Sequence, residues 1–121
     1  MIWIHGGSFV FAYPTGGVDY FVDEGVAFVT VQYRLNVFGF LSTEDDVVSG
    51  NFGLKDQLAA VNWVHENIDK FGGDPGRITL MGESSGAASV SYLALSPRLE
   101  GKLHISFLVV VVVGTVPTNE R

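Results

Sequence analysis

The chain has 121 residues, 47% hydrophobic and 17% charged, with a formal net charge of −6. One domain of that size buries roughly two-thirds of its unfolded surface, and the acidic balance lacks the basic face that meets phosphates, which excludes nucleic acid as an expected partner. With no cysteine there is neither a disulfide framework nor a cysteine-based metal site, and no metal or other cofactor is expected.

Met1 leads directly into Ile2-Trp3-Ile4 with no basic leader ahead of it. The expectation is a chain that starts partway through a larger fold. Residues 1–4 read as a strand ending at the glycine turn His5-Gly6-Gly7-Ser8-Phe9, and residues 9–17 as a loop. A short helix over 18–24 stops at Gly25. Residues 26–33 form a nearly continuous β-branched and apolar run, the pattern of a parallel strand covered on both faces. Residues 34–51 read as a long connection, with Glu44-Asp45-Asp46 a solvated acidic loop.

The clearest helix spans 54–70. Leu54, Leu58, Val61, Val64 and Ile68 share one stripe at 100° per residue, and Asn51 is placed to cap it. Trp63 falls on the opposite side. Residues 77–81 read as the third strand and 86–95 as a helix ended by Pro97. The apolar run that begins at Ile105 is shorter than the roughly 18 residues of a membrane span, so no span is expected. It is either a fourth buried strand or a disordered tail. The order β-α-β-α-β-α predicts an α/β fold, with a mostly parallel sheet of three to four strands flanked by helices.

Between the third strand and its helix stands Gly82-Glu83-Ser84-Ser85-Gly86, the Gly-x-Ser-x-Gly pattern of a serine lifted on a tight strand-to-helix turn. Only Ser84 fits the register. The glycines are needed because a side chain at either place would collide with the neighbouring strand or helix. If strand one lies between strands two and three, right-handed crossovers put the intervening helices on opposite faces. His5-Gly6-Gly7 and residues 82–86 then leave the carboxyl ends of adjacent strands and face one crevice. Acyl transfer from an ester needs a nucleophile, a general base and donors for the oxyanion. Ser84 offers the first, and the backbone N–H groups of Gly6, Gly7 and Ser85 offer the third.

These blocks, together with Tyr33-Arg34-Leu35-Asn36, Gly50-Asn51-Phe52-Gly53-Leu54-Lys55-Asp56-Gln57 and Phe71-Gly72-Gly73-Asp74-Pro75, resemble the type-B carboxylesterase family of the α/β-hydrolase fold. The family holds carboxylesterases, cholinesterases and insect esterases. The resemblance covers residues 1–103, read as a partial catalytic domain, with 104–121 a divergent apolar tail. It implies that Ser84 is the nucleophile of a serine-dependent ester hydrolysis through an acyl-enzyme, that Gly6, Gly7 and Ser85 form the oxyanion hole, and that the substrate is a small-molecule ester. The family's triad acid and histidine lie on later segments, so the missing remainder of the hydrolase domain is the implied partner and the fragment alone is expected to be inactive. Family members are often secreted or in the secretory pathway.

Other titratable groups have blander readings. Glu83 could tune the site electrostatically. Glu100 and His104 follow Ser84 in the order acid then histidine, but lead away from the crevice. His65 reads as a core histidine, and His5 as a prop for the glycine turn. Arg34 and Asp56 are either an ion pair or separate solvated charges. Trp3, Phe9 and Phe11 either line a pocket or pack in core and loop. The alternatives to an esterase are a non-catalytic, cholinesterase-like binding or adhesion module, and a non-functional fragment with exposed strand edges.

Overall fold

A computed structural model of the chain describes residues 1–12 and 18–109, the side chains of 105–109 excepted. The elements run β1 (Ile2–Ile4), α1 (Asp19–Asp23), β2 (Val29–Val31), α2 (Asn36–Phe40), α3 (Phe52–Asn67), β3 (Thr79–Glu83), α4 (Ser85–Ala94) and β4 (Ile105–Val109). The four strands form one sheet in the order β2-β1-β3-β4, and all three pairings are parallel. Strand one therefore stands between strands two and three, the order that the crossover argument took as its premise. The apolar run after Val109 and the tail that follows it lie outside the described residues, as does most of the loop read over 9–17.

The core lies between the sheet and the helices α3 and α4. Ile2, Ile4, Val31 and Leu80 point into it from the strands, and Val61, Val64, Val90 and Leu93 from the helices. Successive strand residues face opposite ways, and the second face is only partly covered among the described residues: Trp3, Thr79 and Met81 are half-buried and Thr30 is exposed. The expectation that strand two is covered on both sides is not met. Strand two is also shorter than the apolar run, because β1 offers it just three partners, from Ile2↔Val29 to Ile4↔Val31.

Three local readings need correcting. Asn51 precedes α3 in the left-handed region at φ 56° and makes no side-chain cap. A capping side chain needs an extended backbone to reach the second or third helical N–H, so here only its carbonyl engages, accepting the Lys55 N–H at 3.0 Å. Within the predicted loop 34–51, Asn36 accepts the Val37 N–H on its own side chain at 2.8 Å and starts α2. Five residues are too few to show a helical period. The third strand begins two residues later than read, because Asp74 accepts the Gly76 N–H at 2.7 Å and coils residues 75–77 into a 3₁₀ turn.

The buried face of α3 is also rotated from the predicted stripe. Leu54 and Leu58 are half-buried, while Gly53, Gln57, Val61 and Val64 are buried. Gln57 has no exposed surface. Its Nε2 donates to Ser89 Oγ on α4 at 3.1 Å, a polar tie between helices that share one face of the sheet.

Candidate active site

Because β1 and β3 are parallel neighbours, the turns leaving their carboxyl ends emerge side by side. A Cβ on Gly6 would stand 2.8 Å from the Glu83 carbonyl oxygen and 3.1 Å from the Ser84 Cβ. Only a residue without a side chain lets the first turn lie this close to the second. The same holds inside the second turn. A Cβ on Gly82 would stand 2.5 Å from the Gly86 backbone, and one on Gly86 would stand 2.1 Å from the Ile4 carbonyl oxygen. The two collisions read from the sequence are thus real, one with the turn's own helix and one with β1.

Ser84 adopts φ 56°, ψ −121° between β3 and α4. That region costs a non-glycine residue about 1–3 kcal/mol and persists only where the surroundings impose it. Its side chain is exposed at the sheet end. Ser85, one residue on, is only 8% exposed and opens the helix. Its N–H belongs to the first turn, where helical amides have no partner within the helix.

The loop after β1 is strained as well. Gly7, Ser8 and Phe9 have φ of 107°, 54° and 62° in succession. At Gly7 a Cβ would fall 1.9 Å from the Phe11 carbonyl oxygen. Phe9 anchors this loop at both backbone groups: its N–H donates to Ser85 Oγ at 3.3 Å, and its carbonyl accepts the Asn36 N–H at 2.7 Å. Gly6 and Gly7 are buried, and among the described residues neither their N–H groups nor that of Ser85 donates to another protein group.

His5 is 2% exposed. Its ring stacks on Tyr33 with centroids 4.5 Å apart, and Nδ1 lies 2.7 Å from the Gly6 carbonyl. A carbonyl only accepts, so Nδ1 carries the proton. The Tyr33 hydroxyl donates to the His5 carbonyl at 2.8 Å. Burial pushes the Tyr33 phenol above its usual range, and a hydrogen bond from Ser85 offsets part of that rise. His5 is therefore built into the support of the glycine turn.

Glu83 ends β3 with an exposed side chain. Glu100 and His104 are exposed at the far end of the sheet, where the His104 N–H bonds the Ile78 carbonyl at 3.1 Å ahead of β3. His65 is half-buried on α3 and not the core residue expected. Among the described residues, no histidine or carboxylate is hydrogen-bonded to the Ser84 hydroxyl, and no cluster of side chains could hold a metal ion. Arg34 and Asp56 do pair, Nε to Oδ2 at 2.8 Å and Nη2 to Oδ1 at 2.9 Å, and the guanidinium holds the Asp56 carboxyl below the usual range. Phe9 meets Phe40 edge-on at 5.1 Å and lines an open groove of about 540 Å³ with Ser8, Val37, Leu54 and Tyr92. Trp3 and Phe11 do not line it.

Sequence reasoning did not single out Tyr33, Gln57 or Ser89. The signal for Gln57 was its spacing from Val61 and Val64, which is the helical i, i+4, i+7 pattern of a buried face.

A parallel sheet with helices packed on it, and a serine on the turn between a strand and a helix, define part of an α/β-hydrolase fold. A carboxylesterase from Geobacillus stearothermophilus superposes with a TM-score of 0.83 at 45% identity, covering 88% of this chain and 25% of that one. Juvenile hormone esterase from Manduca sexta superposes with a TM-score of 0.81 at 42% identity, covering 89% and 21%. The sequence model of the carboxylesterase family matches residues 1–114, and the chain belongs to that family. Among curated relatives, venom carboxylesterase-6 of Apis mellifera is 53% identical over 102 residues, 84% of this chain and 18% of its own length. Liver carboxylesterase 1 of Mus musculus is 50% identical over 106 residues, covering 86% and 19%. The chain thus spans about a fifth of the length of these relatives.

Proposed function

We propose that residues 1–103 are the nucleophile and oxyanion-hole portion of a serine carboxylic ester hydrolase. The observation that carries this reading is the approach of Gly6 to Ser84, within 3.1 Å for a Cβ on the glycine. It sets an exposed hydroxyl at one end of the sheet beside three amides that, among the described residues, donate to no protein group.

In this reading Ser84 Oγ attacks the carbonyl carbon of a small ester while its proton passes to a general base supplied by the rest of the hydrolase domain. The carbonyl oxygen becomes an oxyanion and takes hydrogen bonds from the N–H groups of Gly6, Gly7 and Ser85, the last aided by the α4 dipole. Each such donor contributes about 3–4 kcal/mol at the transition state. The alcohol leaves, and water releases the acyl group from Ser84. Glu83, exposed beside the nucleophile, acts on the site through its charge. No group among the described residues is placed to take the proton, so the isolated chain does not turn over.

The test is a chimera in which this chain's residues 1–103 replace the matching segment of the Geobacillus stearothermophilus carboxylesterase. Hydrolysis of a p-nitrophenyl ester and organophosphate labelling at Ser84, both abolished by Ser84→Ala, are expected. A folded chimera that neither hydrolyses nor labels would sink the catalytic reading. Ser84-dependent turnover by the isolated chain would overturn its inactivity.

A further inference from the structure

The Ser85 side chain lies where the two turns meet, and no catalytic step above uses it. Its oxygen accepts the Phe9 N–H at 3.3 Å. The Tyr33 hydroxyl, on the connection after β2, donates to the His5 carbonyl at 2.8 Å. A hydroxyl carries one proton and two acceptor sites. Tyr33 gives its proton to the His5 carbonyl, and the Ser85 oxygen takes one from the Phe9 N–H.

His5 and Phe9 bracket Gly6 and Gly7, so each end of the turn is tied to one of the two hydroxyls. Ser85 is itself held from behind: its carbonyl accepts from Ser89 Oγ at 3.0 Å, and Ser89 accepts from the Gln57 amide at 3.1 Å. Ser85, Ser89 and Gln57 are buried, at 8%, 0% and 0% exposure, and Tyr33 is buried at 7%. Hydrogen bonds made in a low-dielectric interior are stronger than the same bonds in water and resist rearrangement. A strained loop needs such a hold, since Ser8 and Phe9 at φ 54° and 62° gain nothing locally from that shape.

We propose that the Ser85 hydroxyl and the Tyr33 phenol are positioning residues, a two-hydroxyl clamp that holds the Gly6-Gly7 turn in register with Ser84. The proposal rests on the reading that the amides of this turn receive an oxyanion. It adds that their geometry is set by side chains remote from the substrate.

The test compares Tyr33→Phe, Ser85→Ala, the double variant and Ser85→Thr in the 121-residue chain, with amide hydrogen exchange read by NMR. Tyr33→Phe keeps the ring stacked on His5, so a folded variant is available even where Ser85→Ala unfolds. Each single variant is expected to speed exchange at Gly6, Gly7 and Phe9 about tenfold relative to core amides such as Val61, the protection of roughly one hydrogen bond. The double variant frees both ends of the turn and should exchange faster than either single variant. Ser85→Thr should restore protection. That rescue by a hydroxyl is what a role in packing alone would not give. Unchanged exchange in both single variants would overturn the clamp. Ser84→Ala leaves all these readouts unchanged, so failure of the hydrolytic reading in the chimera is distinguishable from failure of the clamp.

Discussion

Gly86 meets Ile4 across the sheet end so closely that a Cβ on the glycine would stand 2.1 Å from the Ile4 carbonyl oxygen. The helix after the serine is thereby seated on the strand before the glycine turn, and both halves of the site share one contact between backbones. Gly86→Ala must push α4 and β1 apart. The expected loss is about 1–3 kcal/mol, the usual range for overpacking a filled site, read from chemical denaturation. Gly25→Ala is the control. Gly25 has φ 72° but open space around it, so only the left-handed strain of about 1–2 kcal/mol applies. Equal losses with no shift of the Ile4 amide resonance in Gly86→Ala would refute the contact argument.

Ser84 holds a backbone that glycine adopts without strain. Ser84→Gly is therefore expected to stabilise the chain by about 1 kcal/mol while removing the nucleophile, whereas Ser84→Ala keeps the strain and gains nothing. Thermal or denaturant melting of the three proteins decides the point. A glycine variant no more stable than the alanine one would mean that the turn is not under strain.

Gln57 is buried with one side-chain atom, Oε1, unpaired among the described residues. Gln57→Ala should cost about 2–4 kcal/mol through the cavity it leaves. Gln57→Met fills similar volume and removes the unpaired acceptor, so it should fall within about 1 kcal/mol of the parent. A methionine variant as unstable as the alanine one would show that the bond to Ser89 outweighs both packing and desolvation.

The Arg34–Asp56 pair gives a pH dependence with a definite sign. Its folded-state carboxyl lies below the ordinary value, held there first by the hydrogen bond from Arg34. A depressed carboxylate contributes stability above its unfolded pKa of about 3.9 and loses it as pH falls through the folded value. Asp56→Asn should therefore be less stable than the parent near pH 7, by under about 1 kcal/mol for a pair this open to water. The difference should close as the pH drops below about 4. A deficit that persists in acid would point to the neutral hydrogen bonds as its source.

Much of this was open to reading in one dimension. Glycines at 82 and 86 around Ser84, the Gly6-Gly7 pair after an apolar strand, and the alternation of strands with helices depend on local backbone and on right-handed crossovers, which are rules of short range or of handedness. They were enough to place two turns at one sheet end if β1 stands between β2 and β3, an order that the structure supplied. The tertiary structure decided matters of contact between distant residues. Asn51 has a cap residue's identity but not its backbone, because the turn before α3 puts it at φ 56°. Gln57 is polar by composition yet buried by its spacing, because Ser89 waits on the neighbouring helix. Tyr33, Ser85, His5 and Phe9 are unremarkable apart. Their hydroxyls, ring and backbone groups meet only when the sheet brings three connections together, and no periodicity in a sequence records which donor faces which acceptor.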